Sequence, residues 1–143
     1  MVDETTNGVF TIAATPFLPD GALDFESIDR MIDAYIEKGA DGLTILGMMG
    51  EAGKLSADES VAVVRRVTSR SRVPVIVGVS APGFAAMTAL GNEAMAAGAS
   101  AVMVAPPMGL QTDAQITNYF HNAAEFLGDI PFVLQDFPLA TGV

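Results

Sequence analysis

The glycine-rich stretch from Leu46 to Leu55 contains the groups most suited to chemistry in this chain. It reads Leu-Gly-Met-Met-Gly-Glu-Ala-Gly-Lys-Leu and follows a short apolar run. Successive backbone amides in a turn can bind an anion whatever the side chains are, so the N–H groups of Met48 and Met49 are candidates to hold an anion. Both methionines are equally compatible with packing. Glu51 could act as a base, although a glutamate beside a helix start more often stabilises the loop or the helix dipole.

Other reactive side chains are few. The two lysines are Lys38, at the end of the first predicted helix, and Lys54, in the glycine-rich stretch. We interpret both as surface charges, because an amine that attacks a carbonyl at neutral pH usually needs burial to lower its pKa. The stretch is not a phosphate-binding loop, since the Gly-x4-Gly-Lys spacing is not met and Leu55 replaces the Ser or Thr that binds magnesium. His121 has no second ligand type near it, so we expect no metal site.

The elements that would position these groups repeat one unit of strand, loop and helix. The predicted strands cover residues 8–15, 42–46, 75–78, 101–104 and 131–135, and the predicted helices cover residues 24–39, 57–69, 84–97 and 112–127. Two of these helices begin with capping boxes, Ser56-Ala-Asp-Glu and Thr112-Asp-Ala-Gln. The alternation predicts parallel strands with right-handed helical crossovers. Both a doubly wound sheet and a (β/α)8 barrel have this pattern, and length alone favours the open sheet because a barrel typically needs about 250 residues.

Composition excludes several classes of function. The net charge is -10 and the pI is near 4.2, which argues against binding to nucleic acid or an anionic membrane. The chain has no cysteine, hence no disulfide framework. The polar N-terminus does not read as a signal peptide, and no apolar run approaches the roughly 18 residues of a membrane helix. We expect a soluble, cytoplasmic protein without a cofactor.

Five linked motifs resemble the dihydrodipicolinate synthase and N-acetylneuraminate lyase family. They read Gly-Val-Phe-Thr-Ile-Ala-Ala-Thr-Pro-Phe, Gly-Ala-Asp-Gly-Leu-Thr-Ile-Leu-Gly-Met-Met-Gly-Glu, Val-Pro-Val-Ile-Val-Gly-Val, Ala-Gly-Ala-Ser-Ala-Val-Met-Val-Ala-Pro-Pro and Gln-Asp-Phe-Pro-Leu-Ala-Thr-Gly. The resemblance implies a (β/α)8 barrel, of which residues 1–143 form the N-terminal half with about five strands and four helices. It also implies a lyase that joins pyruvate or another 2-oxo acid to a lysine as a Schiff base.

The same resemblance implies a set of site residues. Met48 and Met49 replace the hydroxyl residues of the family's Gly-Thr-Thr-Gly-Glu or Gly-Ser-Thr-Gly-Glu motif, leaving their backbone N–H groups to bind the substrate carboxylate. Gln135 stands at the position of the catalytic tyrosine, and Met108 replaces a relay tyrosine of the synthase branch. These changes argue against dihydrodipicolinate synthase activity itself. The residues expected to line the pocket are Thr15, Gly47, Glu51, Met108 and Asp136.

Two functional classes remain open. In the family the Schiff-base lysine follows the Gln-Asp-Phe-Pro segment by a distance that places it beyond residue 143. The first class is therefore a lyase whose lysine is absent from this chain. The second is a non-catalytic half barrel that dimerises and binds a small carboxylate. In either case the exposed edges of the first and fifth strands need a partner, either a second copy or the C-terminal half of a barrel.

Overall fold

Strands and helices alternate in a computed structural model, which describes residues 2–136 and Pro138. Phe137 and residues 139–142 of the last quoted motif lie outside the described residues, as does Val143. The elements are β1 (Phe10–Ile12), α1 (Phe25–Glu37), β2 (Gly42–Ile45), a 3-10 turn (Ala52–Lys54), α2 (Ala57–Arg70), β3 (Val75–Gly78), α3 (Phe84–Ala96), β4 (Ala101–Val104), α4 (Asp113–Leu127) and β5 (Phe132–Leu134).

The helices and inner strands agree with the prediction to within about two residues, the usual uncertainty of element ends. Both predicted capping boxes are formed, at Ser56 and at Thr112. β1 is shorter than the predicted residues 8–15. Gly8 has φ +116°, in the left-handed region, so it does not continue an extended strand, and β1 begins only at Phe10.

The five strands form one parallel sheet in the order β1-β2-β3-β4-β5, so each strand pairs with the next in the chain. In a doubly wound sheet the order reverses at a switch point. The expectation of an open doubly wound sheet, drawn from length, is therefore wrong, and the consecutive order is that of a barrel wall. The repeating unit determines the hand of each crossover but not the side of the sheet on which the next strand is added. The pattern alone is therefore compatible with both a doubly wound sheet and a (β/α)8 barrel.

Both faces of the central strands are buried, as expected for a parallel sheet with apolar runs. Every residue of β2, β3 and β4 is buried. One face packs against the helices in a core that includes Ile28, Ile32, Leu43, Val64, Val67, Val77, Met87, Val102 and Val104. The opposite face carries a smaller cluster of Ile76, Ala101 and Met103, against which Val2 and Phe10 pack. Within the described part of the chain, no helix is long and apolar enough to cross a bilayer.

Ion pairs join neighbouring helices on the outer surface. The guanidinium of Arg66 binds Asp29 across α1 and α2, with Nε 2.8 Å from Oδ1, and Arg70 binds Asp33 one turn further along. The hydrogen bond from Arg66 lowers the pKa of the Asp29 carboxyl, and the bond from Arg70 lowers that of Asp33. Exposed pairs of this kind contribute modestly to stability.

These pairs predict a specific dependence of stability on pH. Because both carboxyl pKa values are lowered on folding, the stabilisation is fully present above the ordinary value of 3.8 and is lost as the pH falls below it. We expect Asp29→Asn with Asp33→Asn to lower the melting temperature at about pH 7, and this difference to shrink at about pH 3. Thermal denaturation followed by circular dichroism measures both values. An equal difference at the two pH values would contradict the assignment.

The outer edges of β1 and β5 have no strand partner among the described residues. Val9, Ile12 and Leu134 expose 66%, 39% and 53% of their surface at these edges. Unpaired apolar edges favour association with other chains.

We therefore predict that residues 1–143, expressed alone, associate with copies of themselves. Light scattering coupled to size-exclusion chromatography should give a mass above the 14.8 kDa of one chain. A monodisperse monomer that unfolds cooperatively would count against this prediction.

Candidate functional site

A groove of about 510 Å³ opens at the carboxyl ends of β2, β3, β4 and β5. Ligands of parallel α/β proteins bind at this edge of the sheet, where loops from several strands converge. The groove is the candidate functional site. Its lining consists of Leu46, Gly47, Met48, Glu51, Ala52, Gly53, Lys54, Ser80, Ala81, Pro82, Met103, Ala105, Pro106, Pro107, Met108 and Gln135.

The loop after β2 is a tight turn closed by main-chain hydrogen bonds. The N–H of Gly50 donates to the carbonyl of Gly47 at 3.0 Å, and the N–H of Glu51 donates to that of Met48 at 3.0 Å. A turn of this kind contains no carbonyl group to which its first N–H groups could donate. Accordingly, no group in the described part of the chain accepts from the N–H of Met48 or Met49. These are the amides that the sequence analysis proposed for carboxylate binding.

Two residues in the left-handed conformation bracket this turn. Leu46 has φ +54° and Glu51 has φ +53°. Such a conformation costs a non-glycine residue on the order of 1–3 kcal/mol and persists only where surrounding contacts impose it. Leu46 is 3% exposed, so the strained residue lies within the packed core.

Five of the eight predicted site residues line the groove: Gly47, Glu51 and Met108, predicted to line the pocket, Met48, predicted to bind the carboxylate, and Gln135, at the catalytic position. The main-chain N–H of Gln135 donates to the carbonyl of Val104 at 2.8 Å, which fixes the residue at the end of β5. No hydrogen bond of its side-chain amide forms within the described residues. A side-chain amide can both donate and accept a hydrogen bond.

Three predicted residues lie outside the groove lining. Thr15 is buried beneath the turn, where its hydroxyl donates to the carbonyl of Gly50 at 2.7 Å. Met49 is 62% exposed and is not part of the lining. Asp136 lines a separate depression beside α4 that also contains His121. Consecutive residues of an extended chain point to opposite sides, which explains why Gln135 faces the groove and Asp136 does not.

The sequence analysis did not single out Ser80 or the prolines of the groove. The hydroxyl of Ser80 accepts a hydrogen bond from the N–H of Ala105 at 2.8 Å, joining the loops after β3 and β4. Pro106 and Pro107 belong to the second of these loops. Ser80 and these prolines follow predicted strands in the sequence, and this position could have identified them as candidate site residues. The carboxyl ends of adjacent parallel strands share one edge of the sheet.

Neither lysine has the surroundings of a nucleophile. Lys54 lies in the groove lining but is ion-paired with Glu51, and its side chain is 75% exposed. Lysines that form Schiff bases are generally desolvated or placed beside another cation. Lys38 caps the C-terminal end of α1, which lies at the edge of the sheet away from the groove.

The consecutive parallel strands, with helices on one face and a groove at their carboxyl ends, define part of a (β/α)-barrel protein with its site in the barrel mouth. The chain belongs to the dihydrodipicolinate synthetase family, because the sequence model of that family matches residues 5–143. The family and the barrel fold expected from the five motifs are confirmed.

Known relatives agree with this membership. The chain is 37% identical over 139 residues to the 4-hydroxy-tetrahydrodipicolinate synthase of Xanthomonas axonopodis pv. citri, covering 95% of this chain and 46% of the relative. A crystal structure of dihydrodipicolinate synthase from Rhodopseudomonas palustris is 54% identical, with a TM-score of 0.92 over 96% of this chain and 46% of that chain. The prophage protein YagE of E. coli K12, solved in complex with pyruvate, is 32% identical, with a TM-score of 0.86 over 96% of this chain and 47% of that one. The chain thus spans about half the length of these relatives.

Proposed function

We propose that the protein containing this chain is a lyase or aldolase that acts on pyruvate or another 2-oxo acid. In this proposal a lysine Schiff base is the reactive intermediate, and the lysine comes from outside residues 1–143. Family membership supports a lyase-type activity, and a relative of known structure binds pyruvate. The observation that carries the proposal is that the N–H groups of Met48 and Met49, beside a groove at the carboxyl ends of the strands, have no acceptor among the described residues.

The substrate carboxylate would be held by these two main-chain N–H groups. Hydrogen bonds to a charged acceptor are roughly twice as strong as those between neutral groups, and donors fixed in advance by the fold need no reorganisation on binding. Gln135 would orient the substrate through its side-chain amide. An amide does not transfer protons as a phenol does. For this reason we propose a family reaction other than that of dihydrodipicolinate synthase.

The proposal extends to assembly and location. The chain covers 46% of a curated relative, and β1 and β5 have open edges among the described residues. Both observations favour completion of the barrel by further polypeptide, with association into a homo-oligomer. The absence of cysteine from the chain is in keeping with the cytoplasm. Its acidic charge argues against nucleic-acid partners.

Trapping with borohydride tests the proposal directly. The purified protein is incubated with pyruvate and borohydride, which reduces a Schiff base to a stable amine, and its intact mass is measured before and after. We expect a stable adduct, and peptide mapping should locate it on a lysine other than Lys38 and Lys54. Unchanged mass would reject the Schiff-base mechanism and leave the non-catalytic, carboxylate-binding half barrel as the function.

Restoring the hydroxyls at the turn gives a second prediction. Met48→Thr with Met49→Thr adds hydroxyl donors beside the proposed carboxylate site. One added hydrogen bond to a charged group should lower the pyruvate concentration for half-maximal trapping by about tenfold. The matched control is Met108→Thr, which makes the same substitution in the same groove but on the loop after β4. Equal behaviour of the double variant and the control would show that the carboxylate does not bind at this turn.

A further inference from the structure

The turn after β2 is held from both sides by neighbouring strands. From the β1 side, the Thr15 hydroxyl donates to the carbonyl of Gly50 at 2.7 Å. From the β3 side, Gly78 lies against the peptide that follows Leu46. A Cβ at position 78 would lie 2.2 Å from the carbonyl oxygen of Leu46 and 3.2 Å from the nitrogen of Gly47. Only a glycine leaves room for this approach.

The missing side chain at Gly78 gives the left-handed Leu46 room for its carbonyl. Ile45 pairs with Val77, so an extended Leu46 would continue the ladder opposite Gly78. Instead Leu46 turns out of the strand at φ +54°, and its carbonyl comes to lie over Gly78. A strained residue of this kind needs contacts that impose its conformation. Thr15 supplies a further contact at the other end of the turn, where it satisfies the buried carbonyl of Gly50.

We propose that Thr15 and Gly78 are the positioning residues of the 2-oxo acid carboxylate site. They fix the turn from Leu46 to Glu51 so that the N–H groups of Met48 and Met49 are set for the carboxylate. This inference rests on the proposed function. Because residues 46–51 carry no side-chain hydroxyls, this turn offers the carboxylate hydrogen-bond donors only from its main chain, and the position of the main chain then governs their geometry.

The first test is Thr15→Val, which keeps the shape of the side chain and removes its hydroxyl. With the full protein that contains this chain, we expect the pyruvate concentration for half-maximal borohydride trapping to rise about tenfold, the equivalent of one lost hydrogen bond. Thr15→Ser keeps the hydroxyl and should restore binding to near the original value. Thr11→Val is the matched control, because it makes the same change on β1 at a hydroxyl with no hydrogen bond among the described residues.

The second test is Gly78→Ala, which forces the Leu46 peptide away. A displacement of about 1 Å at a site of this kind can cost on the order of a hundredfold, so we expect a larger loss of pyruvate trapping than with Thr15→Val. The matched control is Gly83→Ala, on the loop after the same strand, where a Cβ meets open space. This control should trap pyruvate as the unchanged protein does.

Acetone separates positioning of the carboxylate site from general damage. Acetone forms a Schiff base but has no carboxylate, so its trapping should be unchanged in Thr15→Val. If Thr15→Val traps pyruvate as well as the Thr11→Val control does, the inference is overturned while the proposed function stays intact. Equal losses for acetone and pyruvate would also overturn it, because they would indicate a general structural role. Absence of a pyruvate adduct in the unchanged protein would overturn the proposed function, and the inference with it.

Discussion

The left-handed turn at Leu46 is the constraint on which the candidate site depends. β2 could have continued along β3, since the register places position 46 opposite Gly78. The chain leaves the ladder there instead, and the carbonyl of Leu46 lies over Gly78, where a Cβ would leave no room for it. As a result the amides of Met48 and Met49 donate to no other group in the described part of the chain, at the edge of the sheet where ligands of this fold bind. The cost of one strained residue is offset by the packing that surrounds it.

The rest of the fold serves to hold this edge in place. β2, β3 and β4 are buried throughout, with helices on one face and a smaller apolar cluster on the other. Close packing on both faces makes the strand ends rigid, and rigid elements position a site more accurately than free loops do. Side-chain hydrogen bonds then join successive loops: Thr15 joins the first to the second, and Ser80 joins the third to the fourth.

Local structure was largely predictable from the sequence. Capping signals at Ser56 and Thr112 fixed helix starts, and short β-branched runs fixed the inner strands. The sheet order was not predictable from periodicity, since both candidate folds share the same repeating unit. The role of Thr15 was also beyond reach, because its partner Gly50 lies 35 residues away and only the folded chain brings the two together. The family resemblance predicted that both Gln135 and the adjacent Asp136 belong to the site. Neighbouring residues of an extended chain point to opposite sides, and only Gln135 lines the groove.

We propose that the main chain of the turn after β2 binds the carboxylate of a 2-oxo acid. A crystal structure of the full protein, after reduction of its pyruvate adduct with borohydride, tests this most directly. We expect both oxygens of the carboxylate to lie within hydrogen-bonding distance of the nitrogens of Met48 and Met49, with the turn unchanged. A carboxylate bound to other groups, with these two N–H groups facing solvent or other protein atoms, would contradict it.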